Sequence, residues 1–186
     1  MSLRAVFLDR DGVLVKPTIR NGYAYGPMSL EEFELLPQIA EPVSRIRAAG
    51  YLAVLATNQP GISRGALHWD TLNEMHRRLQ AVVPLDAVYV CPHTDQDACE
   101  CRKPKAGMLR DAAGTLGIDL AASYFIGDTD RDVAAAMAAG VTPVLLHTNY
   151  NQSVATRWRV RDLSAAADLI VHCETGDSYQ SPHLPE

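Results

Sequence analysis

Residues 5–15 read AVFLDRDGVLV, and this stretch decides the fold. Residues 5–8 have the composition of a core strand, and residues 13–15 are apolar again. Between the two runs stand Asp9, Arg10 and Asp11, closed by Gly12. Carboxylates at the edge of a hydrophobic core repel each other and resist desolvation unless something positive joins them. A strand that ends on such a pair is expected to lead into a site, with Arg10 in a structural or rim role.

Outward from this point, strand-like and helix-like segments alternate. A helix is expected over 38–49, with Ile39, Val43 and Ile46 on one face, Pro42 in its early turns and Gly50 as its C-terminal cap. "YLAVLATN" reads as the next strand, followed by a helix from about Asp70 that buries Leu72, Met75, Leu79 and Val82. "DAVYVCPH" is a strand, 107–116 a helix, "SYFIGD" a strand, and "DRDVAAAMAAG" a helix ended by glycine. "TPVLLHT" and "ADLIVH" read as the closing strands. The expectation is an α/β fold: a single Rossmann-like, doubly wound, mostly parallel sheet with helices on both faces. One domain is expected over 1–173, and the polar, proline-bearing stretch 174–186 reads as a flexible C-terminal tail.

The 186 residues carry a net charge of −5, which argues against a nucleic-acid or anionic-membrane binder. No apolar run approaches the roughly 20 residues of a membrane span, and no signal-peptide pattern opens the chain. A cytoplasmic monomer acting on a small metabolite is expected. Three of the four cysteines fall within eleven residues, 91–101. Cys91, His93, Cys99 and Cys101 form a Cys-x-His…Cys-x-Cys set, whose three thiolates and imidazole suit a closed, structural zinc site. Such a site would stiffen a polar loop and place Arg102 and Lys103 directly after its last ligand. Cys173 stands apart, read as a buried or edge thiol without a role.

In sheets of this kind ligands bind beyond the carboxyl ends of the strands. Asp9, Thr57 with Asn58, 91–93 and Asp128 all fall at expected strand ends. Asp9, Asp11 and Asp128 are the candidate ligands of one divalent cation, and oxygen ligands suit magnesium.

Together Asp9-x-Asp11-Gly12-Val13, "ATN" ending at Asn58, the basic "CRKPK" and "IGDTDRD" make the chain similar to the haloacid-dehalogenase-like phosphatases, from about residue 5 to 171. The resemblance implies that Asp9 is a nucleophile forming an aspartyl-phosphate. Asp11 would protonate the leaving oxygen and later activate water. Thr57 and Asn58 would meet phosphate oxygens, Lys103 would supply a fixed positive charge, Asp128 would complete the metal site, and Asp132 would orient its loop.

With its zinc loop followed by Arg-Lys-Pro, the chain resembles the branch holding the D-glycero-D-manno-heptose 1,7-bisphosphate phosphatases and the histidinol-phosphate phosphatases. "TNQPGISRG" is closer to the heptose-bisphosphate side. On that basis Asn21, Gly22 and Tyr23 match a substrate-contacting segment, and Arg102 a substrate-recognising arginine. Three features depart from the heptose pattern. Thr129 stands where lysine is usual, only five residues separate His93 from Cys99, and "KPTIRNGYAYGP" lengthens the first loop.

Val13 and Thr57 are 44 positions apart, which leaves no room for a separate cap domain. An open cleft is expected, roofed by the loop around Tyr23 and Tyr25, "GISRG" and the zinc loop. Arg64 and Arg102 would be placed to meet a remote anionic group. The expected function is magnesium-dependent removal of the 7-phosphate of the heptose bisphosphate. Hydrolysis of histidinol phosphate or another small sugar phosphate is the alternative, and a zinc-loop binding module the non-enzymatic one.

Overall fold

The computed structural model describes residues 2–175. Six strands form one sheet: β1 (Arg4–Leu8), β4 (Tyr51–Asn58), β5 (Ala87–Cys91), β6 (Tyr124–Gly127), β7 (Thr142–Leu146) and β8 (Arg159–Val160). Their order is β5-β4-β1-β6-β7-β8 and every pairing is parallel. Counted along the chain within this sheet, that is the 3-2-1-4-5-6 order of doubly wound folds, with the switch point at β1. Leu8 pairs with Leu55 on one side and Ile126 on the other, so the residues after β1, β4 and β6 emerge at one rim.

Alternation along β1 builds both layers of the core. Val6 and Leu8 pack with α1 (Ala40–Ala48) and α5 (Leu163–Thr175), through Val43, Ile46, Ala166 and Ile170. Ala5 and Phe7 face α3 (Gly107–Leu116) and α4 (Asp130–Ala139), through Met108, Leu109, Ala112 and Ala136. As expected, Ile39, Val43 and Ile46 are buried together, and Gly50, at φ +87°, follows the last turn of α1.

Three segments differ from expectation. "ADLIVH" lies in α5, not in a strand. A short apolar run does not distinguish a buried strand from a buried helix. Here alanines 165–167 favour the helix, and the Asp162 carboxylate accepts from the Ala165 amide at its start. The sixth strand comes instead from Arg159–Val160, inside a segment without a clear sequence signal. Val82 is 49% exposed and Val83 is buried, because α2 (Trp69–Gln80) ends before either residue and its helical phase no longer applies.

The lengthened first loop is a two-stranded antiparallel hairpin, β2 (Thr18–Arg20) and β3 (Tyr23–Tyr25). Asn21 and Gly22 form its turn with φ of 51° and 77°, the two positive values a tight hairpin turn requires. At the C-terminus, α5 runs to Thr175, two residues into the stretch expected as a tail. The rest of that stretch and the side chain of Cys173 lie outside the described residues. Among the described residues no helix is long and apolar enough to cross a membrane.

Candidate active site and metal centres

A cleft of about 310 Å³ opens at the switch point, near the lower end of volumes that hold small ligands. Asp9, Asp11, Lys103, Asp128 and Asp132 line it, with Asn58 and Gln59 to one side and Tyr23, Tyr25, Arg64, Arg102 and Arg131 around them. A larger hollow, about 590 Å³, lies beside Arg47, Tyr51 and Asp86 at the opposite end of the sheet. Arg47 and Asp86 pair with each other there, and among the described residues no cluster of carboxylates reaches it.

Asp9, Asp128 and Asp132 are all buried, and one oxygen of each lies within 4.8 Å of the others. Buried Lys103 reaches two of them, its Nζ 2.8 Å from Asp9 Oδ1 and 2.6 Å from Asp132 Oδ1. Burial raises the pKa of Asp9 to about 7; Lys103 opposes this, while Asp132 and Asp11 add to it. Asp128 is driven well above the ordinary carboxylate range by burial and then by repulsion from Asp132 and Asp9. Burial also disfavours the charge on Lys103, but Asp132 and Asp9 outweigh that and hold its pKa above normal.

Ionised together, three carboxylates against one ammonium would leave two negative charges uncompensated in a buried place. Asp128 Oδ1 is, in addition, buried with no hydrogen-bond partner among the described residues. Both observations fit a hard dication held by oxygen.

The buried carboxylate cluster differs from the expected ligand set in one member. The Asp11 carboxylate is outside this group, because Arg10 grips it with Nε at 2.9 Å and Nη2 at 3.0 Å. Gln59 Nε2 donates to the same carboxylate at 2.9 Å. Gly12, at φ +92°, turns the chain so closely past Asp128 that a Cβ there would lie 2.0 Å from Asp128 Oδ2. Asp132 is the third carboxylate of the buried cluster, its Oδ1 facing Lys103, and it also orients its loop as expected. Its Oδ2 accepts from the amides of Asp128 and Thr129 at 3.2 and 3.0 Å. Arg10 is wholly buried and not at a rim; its main-chain amide donates to Asp9 Oδ1 at 2.7 Å while its side chain holds Asp11.

Two residues expected to meet phosphate have partners within the protein. Thr57 is buried, does not line the cleft, and accepts from Gln59 Nε2 at 2.9 Å. Asn58 lines the cleft but spends its amide on the main chain of Lys103, donating to its carbonyl at 3.0 Å and accepting from its N–H at 3.1 Å. Of the matched hairpin residues, Tyr23 faces the cleft, whereas Asn21 and Gly22 form the turn beyond it.

Cys91, His93, Cys99 and Cys101 bring their ligand atoms within 4.8 Å of one another. Cys101 Sγ lies 3.1 Å from Cys91 Sγ and 3.5 Å from Cys99 Sγ, and Cys91 Sγ lies 3.6 Å from Cys99 Sγ. His93 Nδ1 is 3.3 Å from Cys101 Sγ and 3.7 Å from Cys91 Sγ. A tetrahedron with Zn–S bonds of about 2.3 Å has edges of about 3.8 Å, so this cluster is compatible with zinc. The loop docks on α3, where a Cβ at Gly107 would meet the Glu100 carbonyl at 2.3 Å. Arg102 is latched to the same loop, donating to the His93 carbonyl at 3.1 Å and to Asp95 Oδ1 at 2.8 Å.

Arg131, Gln59 and Tyr150 were not legible as site residues. Arg131 donates to Asp95 Oδ1 at 2.9 Å from the first turn of α4, so Asp95 bridges two cleft arginines. Those arginines, Arg102 first, hold the Asp95 pKa far below the carboxylate range. Thr129 caps α4: its hydroxyl donates to Asp132 Oδ2 at 2.6 Å. Tyr150 donates its hydroxyl to Asp128 Oδ2.

An acidic, cation-demanding floor at the switch point of a Rossmann-ordered sheet, with a buried lysine against the first strand's aspartate, is the frame of a phosphoryl-transfer enzyme. The HAD-hydrolase-like family matches residues 100–171. The chain is 38% identical over 153 residues to the D-glycero-beta-D-manno-heptose-1,7-bisphosphate 7-phosphatase of Pseudomonas aeruginosa, covering 80% of this chain and 83% of that one. It is 38% identical over 160 residues to the enzyme of the same name from Escherichia coli K12, covering 79% and 81%. The solved structure of D,D-heptose 1,7-bisphosphate phosphatase from B. bronchiseptica, complexed with magnesium and phosphate, superposes with a TM-score of 0.79 at 34% identity, covering 91% of this chain and 99% of that one. The chain belongs to the haloacid-dehalogenase-like phosphatases, hydrolases of phosphoric monoesters, in the heptose-bisphosphate phosphatase branch.

Proposed function

We propose that this enzyme removes the 7-phosphate of D-glycero-D-manno-heptose 1,7-bisphosphate, acting as a magnesium-dependent cytoplasmic monomer with a structural zinc. The observation that carries the substrate reading is the charge layout of one cleft. An acidic floor demands a cation, and Arg64, Arg102 and Arg131 stand around the same space. A substrate with a phosphate at each end meets both demands. Histidinol phosphate brings an ammonium and an imidazole to the arginine side, where Asp95 is already spanned by two guanidiniums.

Asp9, Asp128 and Asp132 would hold the magnesium ion. When bound, it would neutralise the floor and polarise the phosphoryl oxygens. Asp9 accepts both of its contacts on Oδ1, leaving Oδ2 to attack phosphorus. As the Asp9 oxygen–phosphorus bond forms, the ester oxygen–phosphorus bond breaks, and the leaving oxygen takes a proton from Asp11. Water then attacks phosphorus, gives its proton to Asp11 and releases Asp9. Lys103 stays charged throughout and faces the transferring group. Asn58 positions Lys103, and Thr57 positions Gln59. Among the candidate substrate contacts, Tyr23 and Arg102 remain at the cleft, while Asn21 and Gly22 shape the hairpin that carries Tyr23.

Phosphate release from the heptose bisphosphate and from histidinol phosphate, each with magnesium and with chelator, tests the proposal. The bisphosphate is expected to be preferred at least about tenfold in kcat/KM, with heptose 1-phosphate as product. Preference for histidinol phosphate overturns the substrate. A zinc-loaded protein with no magnesium-stimulated release overturns the enzymatic reading in favour of a binding module.

A further inference from the structure

We infer that Tyr150 is a positioning residue of the cation site, holding Asp128 so that Oδ1 is the oxygen offered to the ion. The inference rests on reading Asp9, Asp128 and Asp132 as that site. Tyr150 belongs to the segment between β7 and β8, which is distant in sequence from every motif of the cleft.

Asn151, its neighbour, is buried, and both ends of its amide are engaged. Nδ2 donates to the Asp128 carbonyl at 2.8 Å and to the Leu146 carbonyl at 2.7 Å. Oδ1 accepts from the Thr148 amide at 3.0 Å and from Arg159 Nη1 at 2.9 Å. Arg159 Nη2 closes the loop by donating to the Asn151 carbonyl at 3.1 Å. Four hydrogen bonds to one buried amide fix this segment against the end of β6, where Asp128 begins the next loop.

From that anchor the Tyr150 hydroxyl reaches Asp128 Oδ2 at 2.5 Å. One carboxylate oxygen is thereby satisfied, and the other, Oδ1, is buried with no hydrogen-bond partner among the described residues. A carboxylate held by one oxygen and open at the other has a single orientation in which to bind a metal. Outer partners of this kind typically contribute 10- to 100-fold to metal affinity.

Tyr150→Phe removes the hydroxyl and keeps the ring. Titration of the purified protein with Mn²⁺, followed by electron paramagnetic resonance without substrate, is expected to show about tenfold weaker binding. The magnesium concentration for half-maximal phosphate release should rise by the same factor, with kcat at saturating metal within about threefold of wild type. The melting temperature without metal, expected within about 2 °C of wild type, separates positioning from packing. A variant that binds Mn²⁺ as tightly as wild type overturns the inference, whatever its melting temperature. A wild-type protein that binds no Mn²⁺ overturns the cation reading itself, and this inference with it.

Discussion

Asn58 holds the main chain of Lys103 at both ends, accepting from its N–H at 3.1 Å and donating to its carbonyl at 3.0 Å. The end of β4 is thus tied to the loop that delivers the buried lysine, 45 residues later in the chain. The Lys103 main chain is thereby tied to β4, and its Nζ lies against Asp9 and Asp132.

Asn58→Ala leaves a part-buried N–H and carbonyl without their partner, at a cost of about 1–3 kcal/mol. The melting temperature should fall by roughly 2–10 °C, and kcat should drop at least about tenfold as Lys103 loosens. Steady-state kinetics and a melting curve check both. Wild-type kcat in a destabilised variant would contradict a positioning role.

Arg131 pairs with Asp95 at the cleft wall and is 42% exposed. Arg131→Ala should raise KM for a bisphosphate about tenfold and leave kcat near wild type. The comparison is a sugar monophosphate lacking the distal anion, whose KM should move less than about twofold. Equal effects on both substrates would remove Arg131 from distal recognition.

His76 is buried behind Arg10, its Nε2 3.5 Å from Arg10 Nη1. Burial, and then the Arg10 charge, lower its pKa to about 4, with Asp11 opposing. The unfolded chain binds this proton from near pH 6.5 downward, whereas the folded chain does so only near 4. Stability therefore falls as pH drops from about 6.5 to 4, by up to about 3 kcal/mol from this residue. Above 6.5 both states are neutral and the contribution is flat. Urea titrations of wild type and His76→Gln across that range should show a shallower acid loss in the variant; parallel curves would refute the assignment.

The Cys91, His93, Cys99 and Cys101 cluster ends immediately before Arg102 and Lys103, so loss of a zinc ion held there should reach the cleft. Cys101→Ser is expected to lower bound zinc below about one ion per chain and to cut stability by several kcal/mol. Phosphate release should fall with it. Full zinc content in the variant, measured by elemental analysis, would contradict the four-ligand site.

The sheet and its acidic rim are legible because the apolar runs of β1, β4 and β6 lead directly into Asp9, Thr57 with Asn58, and Asp128, and that of β5 into the Cys/His motif. Gly107–Leu116 and the glycine-ended α4 follow from helical periodicity and cap residues. What escapes sequence reading depends on side-chain direction. Asp11 follows Asp9 by two residues, yet Arg10 turns its carboxylate away from the cation group. Thr57 and Asn58 stand at a strand end, as phosphate ligands would, yet Thr57 Oγ1 accepts from Gln59 and the Asn58 amide holds the main chain of Lys103. Tyr150 reaches Asp128 across 22 residues, through a segment with neither helical nor alternating pattern. In "ADLIVH" the local composition is compatible with both a strand and a helix, and the preceding alanines, the Asp162 cap and packing against α1 decide for the helix.

The central claim is that Asp9 attacks phosphorus in a site closed by a cation and Lys103. Borohydride quenching during turnover, followed by peptide mass spectrometry, tests it most directly, since an acyl phosphate is reduced to an alcohol. Homoserine is expected at position 9, appearing only when substrate and magnesium are both present. An unmodified Asp9 during sustained turnover, or a reduced carboxyl at another position, would contradict it.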